Sequence, residues 1–403
     1  MTRPRVAVTG LGVVSSIGLG WRAFWDGLLA GRSGIRPIRY VDTAEYPTRN
    51  GGEVEGFAPE AHMPADVAVQ LGRGAQFGLA AARMALADAR LTPEEPWAAR
   101  AGLCLGTTMA DVQALETAHL AWVRRGAEAM PSHLLSQYPA CAMSAQIAKH
   151  LGLRGPSLMI PTACAAGNYA IAYAADLLRL GRADVMLAGG AEPFSRIVFT
   201  GFNRLFAVAP ERCQPFDKHR KGMMVAEGAA LLVLERWEDA RARGAKVYAE
   251  VLGCGMSCDA HHMTIPHPDG VRRVMSRALE DAGLVPQDVD YISAHGTGTP
   301  ANDRTECAAI RAVFGAHTDR MPVSSIKSML GHAMGAASAL EAVACVLAVQ
   351  EDQLPPTINY ETPDPDCPVD CVPNVSRAHR VRVALNNSFA FGGNNACVVF
   401  GKP

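Results

Sequence analysis

The sequence predicts a mixed α/β fold built from two similar halves. Short apolar runs bounded by glycine, typical of buried strands, alternate with alanine-rich stretches of helical length. Strand–helix alternation of this kind favours parallel or mixed sheets covered by helices. At 403 residues the chain exceeds the usual size of one domain, and the alternation begins again near Lys246. We therefore expect an N-terminal half at residues 1–245 and a C-terminal half at residues 246–403.

The predicted elements follow in a regular order. In the first half we expect strands at residues 6–8, 102–105, 158–160, 185–187 and 229–234, and helices at residues 76–89, 145–150 and 165–180. In the second half we expect strands at residues 248–253, 291–294, 322–325, 381–385 and 396–400, and helices at residues 271–282, 304–314 and 336–350. The glycines after the first strand predict a loop. Residues 354–373 hold six of the 26 prolines and predict an ordered loop, and residues 92–96 predict a surface turn.

Composition excludes several classes of protein. Hydrophobic residues make up 49% and charged residues 19%, which indicates a globular rather than a disordered chain. Lys plus Arg total 38 against 39 for Asp plus Glu, so no overall field attracts nucleic acid or an anionic membrane. No apolar run reaches the ~18 residues of a spanning helix, and the start does not resemble a signal peptide. The eleven scattered cysteines include no CxxC pair, which favours reduced thiols and a cytoplasmic location.

The segment IPTACAAGNY, residues 160–169, places Cys164 between an apolar strand and an alanine-rich helix. A thiol at a helix N-terminus meets the positive end of the helix dipole and free N–H groups, which favour the thiolate. A tight strand–turn–helix also exposes the side chain to a substrate. A buried inert cysteine is the ordinary alternative. The setting predicts a nucleophile.

Two later segments each place a histidine shortly after a strand. In SAHGTGTPAN, residues 293–302, His295 precedes a loop whose glycines and threonines suit an extended polar ligand. A packed histidine beside a turn is the alternative for that segment alone. In SSIKSMLGHAMGAA, residues 324–337, Lys327 precedes His332, and Glu341 in the same helical stretch could pair with the lysine.

The segment NNSFAFGGNN, residues 386–395, ends a strand and turns through two glycines. Phenylalanines beside flexible glycines indicate a mobile gate or a donor backbone N–H. A tight turn with core aromatic side chains explains the segment equally well on its own.

Together these four segments resemble the β-ketoacyl-acyl carrier protein synthases, condensing enzymes of the thiolase-like superfamily. The matching runs are TACA around Cys164, AHGTGT around His295, SSIKSMLGHAMGAAS around Lys327 and His332, and NSFAFGG near the C-terminal end. Flanking runs such as VAVTGLGVVSSIG and QPFDKHRKG extend the resemblance over essentially the whole chain. One cysteine and two histidines are typical of the elongating type. The resemblance implies a thiolase-like fold with a layered αβαβα core.

The resemblance also implies a reaction, a decarboxylative Claisen condensation that extends a polyketide or fatty-acyl chain. Cys164 would be acylated from the phosphopantetheine thioester of an acyl carrier protein. His295 and His332 would stabilise the enolate formed from a malonyl-type extender. The backbone N–H groups of Cys164 and Phe391 would form an oxyanion hole. Lys327 and Glu341 would form a supporting ion pair.

The remaining implied roles concern binding. Thr297 and Thr299 would hydrogen-bond the phosphopantetheine arm, and Phe391 would gate the acyl pocket. The reaction would need no metal or diffusible cofactor, and a cluster of His261, His262, His267 and Asp259 has weak ligand spacing. The expected partners are acyl carrier protein and a second subunit, either an identical chain or a chain-length-factor-like homologue.

The chain departs from the family pattern around the gate, the pocket and the carrier site. Ala390 stands where glycine is usual and Asn394 where threonine is usual. Met109 and Met223 fall in the stretches expected to shape the acyl pocket. Basic side chains for an acidic carrier are fewer than in many relatives, and the remaining candidates are Arg73, Arg124, Arg125 and Arg204.

Two other functions have to be compared with the condensing enzyme. A non-catalytic partner subunit that sets chain length typically lacks the cysteine, so Cys164 with both histidines argues against it. A degradative thiolase acting on coenzyme A would carry a second catalytic cysteine near the C-terminus. The segment NSFAFGGNN has none, and Cys397 falls in the following strand. The sequence therefore favours the condensing enzyme.

Overall fold

The computed structural model describes residues 3–92 and 96–403, and the turn predicted at residues 92–96 lies mostly outside them. Within these residues the strands are β1 (Val6–Ser15), β2 (Gly18–Leu19), β3 (Arg36–Pro37), β4 (Asn50–Gly51), β5 (Ala101–Gly106), β6 (Ser157–Ile160), β7 (Val185–Glu192), β8 (Gly228–Arg236), β9 (Ala249–Cys258), β10 (Tyr291–Ser293), β11 (Val323–Ser324), β12 (Gln353–Leu354), β13 (Arg377–Ala378), β14 (Val383–Phe389) and β15 (Asn394–Gly401). The α-helices are α1 (Trp21–Leu29), α2 (Ala65–Ala68), α3 (Arg73–Ala89), α4 (Val112–Arg125), α5 (Ser132–Leu135), α6 (Ala140–His150), α7 (Ala166–Arg179), α8 (Arg196–Arg204), α9 (Trp237–Ala242), α10 (Pro268–Ala282), α11 (Pro300–Phe314), α12 (Lys327–Leu330) and α13 (Ala337–Glu351). Each predicted strand and helix overlaps an observed one.

One large mixed sheet contains the main strands of both halves, in the order β11-β10-β14-β15-β9-β1-β8-β7-β5-β6. Each half contributes five of these strands, and their spatial order is the same in both. When the five strands of each half are numbered along the chain, both halves have the spatial order 3-2-4-5-1 from the edge of the sheet to its centre. The first three in this order are mutually parallel and the last two pair antiparallel in each half. The predicted repeat of one architecture is confirmed, whereas the boundary at residues 245–246 stays a prediction.

Helices α7 and α13 lie between the two halves of the sheet. Each contacts strands of both halves, and the two helices also contact each other. Helices α3 and α6 cover the outer face of the first half, and α10 and α11 cover that of the second. The largest apolar cluster is centred on α7 and α13. These contacts confirm the layered αβαβα core.

The first strand corrects a sequence prediction. Residues 6–15 form one buried strand, although glycines after residue 8 predicted a loop. A Cβ on Gly10 would lie 2.2 Å from the Ala85 oxygen, and one on Gly12 would lie 1.8 Å from the Ala81 oxygen. The glycines therefore allow helix α3 to pack directly on the strand backbone. Seven α-helices of the described residues were not predicted, namely α1, α2, α4, α5, α8, α9 and α12.

Among the described residues, the stretch Met334–Glu351 is long and apolar enough to cross a membrane, with a mean hydropathy of 1.3. It corrects the expectation that no run reaches this length. The stretch includes α13, and 89% of it is buried inside the protein. Its apolar composition follows from its place in the central layer of the fold.

Candidate active site

Cys164 lies between strand β6 and helix α7, in the 3₁₀ turn Ala163–Ala165. Ala163 has a φ of +51°, which reverses the chain direction after the strand. The thiol is only 6% exposed. The Ser388 hydroxyl donates a hydrogen bond to the Cys164 carbonyl oxygen at 2.9 Å, which ties the turn to the end of β14. The turn therefore holds the sulfur at the junction of the two halves.

The protonation state of Cys164 differs from the sequence prediction. Burial raises the pKa of the thiol to about 11, although Lys327 and the backbone N–H groups of Phe391 and Cys164 lower it in part. Desolvation outweighs these effects because Cys164 packs in one buried apolar cluster with Ala165, Ala390 and Ala396. The resting nucleophile is therefore a neutral thiol, with two backbone N–H groups already directed towards it.

His295 and His332 lie beside this thiol. One ligand-type atom of each residue and the sulfur all lie within 4.8 Å of one another. The imidazole rings are 5.5 Å apart at an angle of 83°. The site thus combines the N-terminal half, which supplies the thiol, with the C-terminal half, which supplies both histidines.

Hydrogen bonds fix the tautomer of each histidine. The Met334 N–H donates to Nδ1 of His332 at 3.1 Å, so the proton lies on Nε2. This Nε2 is buried and has no hydrogen-bond partner among the described residues. The Lys327 ammonium lies 3.5 Å from Nδ1 of His295, which also favours a proton on Nε2. Each histidine therefore presents an N–H donor to the cavity.

Lys327 is a fully buried cation in contact with both a histidine and a carboxylate. Its ammonium donates to the His295 carbonyl oxygen at 2.7 Å and forms an ion pair with Glu341. Burial and then Lys327 lower the pKa values of His295 and His332 well below 6.5, so both rings are neutral at pH 7. Burial raises the pKa of Glu341 to about 7, and the lysine opposes this shift.

The His295 loop is held by a residue that the sequence analysis missed. Glu306 in helix α11 accepts hydrogen bonds from the N–H groups of His295 at 2.9 Å and Gly296 at 2.8 Å. Burial raises the pKa of this carboxyl to about 7. A glutamate in an amphipathic helix carries no sequence signal for such a role. Nothing in the sequence marks the Ser388 hydroxyl as the donor to the Cys164 carbonyl oxygen either. Both residues are recognisable only after folding.

A cavity of about 310 Å³ leads from the surface to the thiol. Thr297 and Thr299 line it, and their hydroxyls are 2.9 Å apart. Phe391 also lines the cavity, with its ring 5.4 Å from that of Phe202. Met223 also lines the cavity, whereas Met109 does not. None of the described lining residues is an Asp, Glu, Lys or Arg.

The basic candidates for carrier docking differ in their surroundings. Arg73 forms an ion pair with the buried Glu227 and lies over the Phe77 ring. Its guanidinium is therefore committed to the fold, which corrects its place among the docking candidates. Arg124 and Arg125 at the end of α4, and Arg204 at the end of α8, are exposed.

The histidine cluster at residues 259–267 forms loop contacts. Asp259 accepts hydrogen bonds from Asn395 at 2.7 Å and from the His267 N–H at 2.9 Å. Nδ1 of His262 accepts from the Thr264 N–H at 3.1 Å. Among the described residues, three side chains of the types that bind metals do lie close together, and these are Cys164, His295 and His332.

Comparison with family models matches two consecutive segments of the chain. Residues 3–240 match the model described as "Beta-ketoacyl synthase, N-terminal domain". Residues 248–361 match "Beta-ketoacyl synthase, C-terminal domain". The two segments together cover most of the chain.

Curated and structural relatives extend over the full length. Nodulation protein E of Rhizobium sp. is 43% identical over 397 residues, covering 98% of each chain. The 3-oxoacyl-(acyl-carrier-protein) synthase 2 of Synechocystis sp. is 41% identical over 411 residues, covering 100% of this chain and 99% of that protein. A solved structure of the ishigamide ketosynthase/chain length factor is 45% identical with a TM-score of 0.96, covering 100% of each chain.

Proposed function

The chain belongs to the β-ketoacyl synthase family and is an acyltransferase that condenses acyl units carried on acyl carrier protein, and we propose that Cys164, His295 and His332 carry out this condensation. The observation that carries the assignment is the convergence of one thiol with two neutral N–H donors in a buried cavity. A nucleophile and a pair of oxyanion donors are what a decarboxylative Claisen reaction requires.

In the first step Cys164 accepts the acyl group. Its sulfur attacks the acyl carbonyl carbon of the carrier thioester, and the oxyanion accepts hydrogen bonds from the backbone N–H groups of Cys164 and Phe391. The carrier sulfur then leaves and takes up the proton that Cys164 loses. Because one thiol replaces another, the raised pKa of Cys164 costs little over the whole step.

In the second step the extender loses its carboxylate. A malonyl-type thioester enters with its carbonyl oxygen between Nε2–H of His295 and Nε2–H of His332. Carbon dioxide departs and leaves its bonding electrons in an enolate, whose charge lies on that oxygen. Two donors that are neutral and fixed before the reaction stabilise this charge without reorganising.

In the third step the enolate carbon attacks the acyl-Cys164 carbonyl. The same two backbone N–H groups hold the second oxyanion. Its collapse expels the Cys164 thiolate, which takes up a proton from solvent and returns to the neutral thiol. The product is a β-ketoacyl chain, longer by two carbons, on the carrier.

In this proposal Thr297 and Thr299 hydrogen-bond the phosphopantetheine arm, which their presence in the lining of the cavity that contains Cys164 supports. In this proposal Phe391 acts as the gate of the acyl pocket. Its ring packs on Phe202, and two residues with left-handed φ, Gly392 and Gly393, follow it. Lys327 and Glu341 act as positioning residues for the histidines.

The proposed mechanism uses no metal and no diffusible cofactor. All the charge that develops is placed on oxygens that face N–H donors. Dialysis against EDTA should therefore leave the condensation rate unchanged. A loss of rate that one defined metal restores would contradict this part of the proposal.

A dimer and a cytoplasmic location complete the proposal. Strand β6 pairs only with β5 among the described strands, so its other edge is free for a second subunit. The identity to the ishigamide ketosynthase/chain length factor supports a chain-length-factor-like homologue as one candidate, with a second identical chain as the other. Native mass measurement of the chain alone and with such a homologue distinguishes them. All eleven cysteines are free, as a reducing compartment favours.

Intact-protein mass spectrometry tests the central proposal. Wild type and Cys164→Ala are mixed with a panel of acyl carrier thioesters, and malonyl carrier is then added. The acyl mass should appear on wild type alone and disappear when the extended product forms. Folded wild type that gains no mass with any thioester, or an alanine variant that does gain it, would contradict the role of Cys164.

A further inference from the structure

Phe206 is the most exposed large apolar side chain among the described residues, with 91% of its surface accessible. It lines the mouth of the active-site cavity, next to Leu205, which is 53% exposed. On the loop that follows β9, Met263 is 69% exposed and Ile265 is 51% exposed, and both line the same mouth. We call these four residues the apolar lip.

The backbone at Phe206 makes its exposure costly for the fold. Helix α8 ends in a Schellman arrangement, in which the Phe206 N–H bonds to the Asn203 oxygen at 3.0 Å and the Ala207 N–H to the Phe202 oxygen at 3.1 Å. Phe206 therefore occupies the left-handed position, with a φ of +55°, where glycine is strongly preferred. An aromatic residue there is strained and also exposes its ring to water. Neither local stability nor solubility explains the residue.

The surroundings of the lip point to a protein that brings its substrate on a flexible arm. The cavity leads directly to Cys164, so the arm has to enter at this mouth while the body that bears it stays outside. None of the described lining residues is an Asp, Glu, Lys or Arg, and the whole chain has a net charge of −1. Contact at the mouth itself is therefore apolar rather than ionic.

We propose that the apolar lip is a docking contact for the body of the acyl carrier protein, with Phe206 as its anchor. The inference rests on the proposed function, because that function requires the carrier to deliver both substrates. A rigid aromatic side chain loses little entropy when a partner covers it, which suits it to anchor an interface. The backbone strain at Phe206 is present in the enzyme both with and without the carrier bound.

Phe206→Gly separates docking from stability, since it should affect them in opposite directions. The variant relieves the left-handed strain, so its thermal midpoint should equal or exceed that of wild type. Its affinity for the carrier should fall by about 5- to 30-fold, as for loss of an interface anchor. The carrier is one whose acyl thioester form acylates Cys164. Its apo form, which lacks the phosphopantetheine arm, serves as the probe, and binding is measured by titration calorimetry.

Two further variants provide matched controls. Arg90→Gly makes the same exchange at the end of α3, where Arg90 has a φ of +56° and does not line the cavity. It should leave carrier affinity unchanged. Ile265→Ser removes apolar surface from the other side of the lip without a change of backbone strain, and it should weaken binding. The ratio of wild-type to Phe206→Gly affinity should stay constant as salt is raised, because apolar contacts are not screened.

The outcomes distinguish failure of this inference from failure of the proposed function. If Cys164 is acylated but carrier affinity does not depend on Phe206, the docking inference alone is wrong. A Phe206→Gly variant that changes the native mass and not the carrier affinity would show that the lip binds a second subunit, which also overturns the inference. If no thioester acylates Cys164, the proposed function fails first.

Discussion

At the scale of single residues, Lys327 contacts the loop of one active-site histidine and affects the charge of both. Burial, and after it the charge of Lys327, lowers the pKa of His295 and of His332 well below the usual value, so neither ring is a cation. Its hydrogen bond to the His295 carbonyl oxygen also fixes the loop that carries that histidine. An uncharged imidazole that donates a hydrogen bond from Nε2 can stabilise an enolate. It lacks the second ring proton that an imidazolium would give up as an acid. In the proposed mechanism the pair therefore acts as an oxyanion hole rather than as a general acid.

Replacement of either histidine should separate the two half-reactions. His295→Ala or His332→Ala removes a donor that acts only on the extender oxygen, so condensation should fall by about 10²–10³-fold. Acylation of Cys164 should persist, because its oxyanion is held by backbone N–H groups. Mass spectrometry follows acylation, and release of carbon dioxide follows the extender. A parallel loss of both steps in a folded variant would show that the histidines also act in acyl transfer.

The depressed pKa of His332 also predicts a pH dependence of stability. Below pH 6.5 the unfolded chain takes up a proton at this histidine that the folded protein excludes, so stability is lost as pH falls. His332→Asn removes this proton uptake. Between pH 6.5 and 5.5 the free energy of unfolding of wild type should therefore drop by about 1 kcal/mol relative to the variant.

Urea unfolding at several pH values measures this difference. Five buried carboxyls with raised pKa values act in the opposite direction, namely those of Asp111, Glu192, Asp303, Glu306 and Glu341. They are present in both proteins and largely cancel in the comparison. Parallel curves for wild type and variant would mean that His332 takes up a proton in the folded state as well.

The residues that sequence predicted and those that it missed differ in a physical way. Cys164, His295, Lys327 and His332 lie in short segments whose small neighbours and turns are visible in the sequence itself. Glu306 acts through a fold contact across the second half, and no local pattern marks it. The thiol pKa was predicted in the wrong direction, because sequence shows the helix start but not the desolvation around it.

At the scale of elements, the central helix of each half begins with the same local structure. A 3₁₀ turn precedes α7 at Ala163–Ala165 and α13 at Met334–Ala336. The first residue of each turn is left-handed, with φ of +51° at Ala163 and +46° at Met334. Cys164 and Gly335 therefore occupy equivalent positions. One half places the nucleophile there, and the other places a residue with no side chain.

Gly335 is expected to tolerate no side chain. A Cβ there would lie 2.3 Å from the Thr107 carbonyl carbon, in the loop after β5. Gly335→Ala should lower the free energy of unfolding by about 1–3 kcal/mol, the usual cost of overpacking. Urea denaturation measures it. As a control, a Cβ at the exposed position Gly201 in helix α8 would meet no atom within 4 Å, so Gly201→Ala should stabilise by about 0.5–1 kcal/mol. Equal stability of Gly335→Ala and wild type would show that the Thr107 loop moves aside.

Glycine is also where sequence and structure diverge among the elements. In β1 the glycines at positions 10 and 12 were interpreted as a loop, because glycine is the usual residue of turns. Their actual role is to let α3 approach the strand, which depends on a helix more than 60 residues further along the chain. The alternation of strands and helices was predicted correctly, since apolar periodicity is a local property. Close backbone contacts are not local.

At the scale of the whole molecule, the active site exists only where the two halves meet. The first half supplies Cys164 from the turn before α7, and the second supplies both histidines. The halves are joined through the β1–β9 pair, through α7 against α13, and through contacts of each central helix with the other half of the sheet. Neither half can bury its own central helix alone. The boundary at residues 245–246 therefore separates two sequences that share one core.

A chain divided at this boundary should reassemble and keep its activity. The break falls in an exposed connection between α9 and β9, where residues 243, 244 and 246 are exposed and no strand is interrupted. Co-expressed fragments 1–245 and 246–403 should co-purify, and a carrier thioester should acylate Cys164 in the reassembled pair. Each fragment alone should be inactive. Because the break makes an intramolecular contact intermolecular, activity should fall on dilution, unlike that of the intact chain. Fragments that fold separately and do not associate would show that the halves are independent domains.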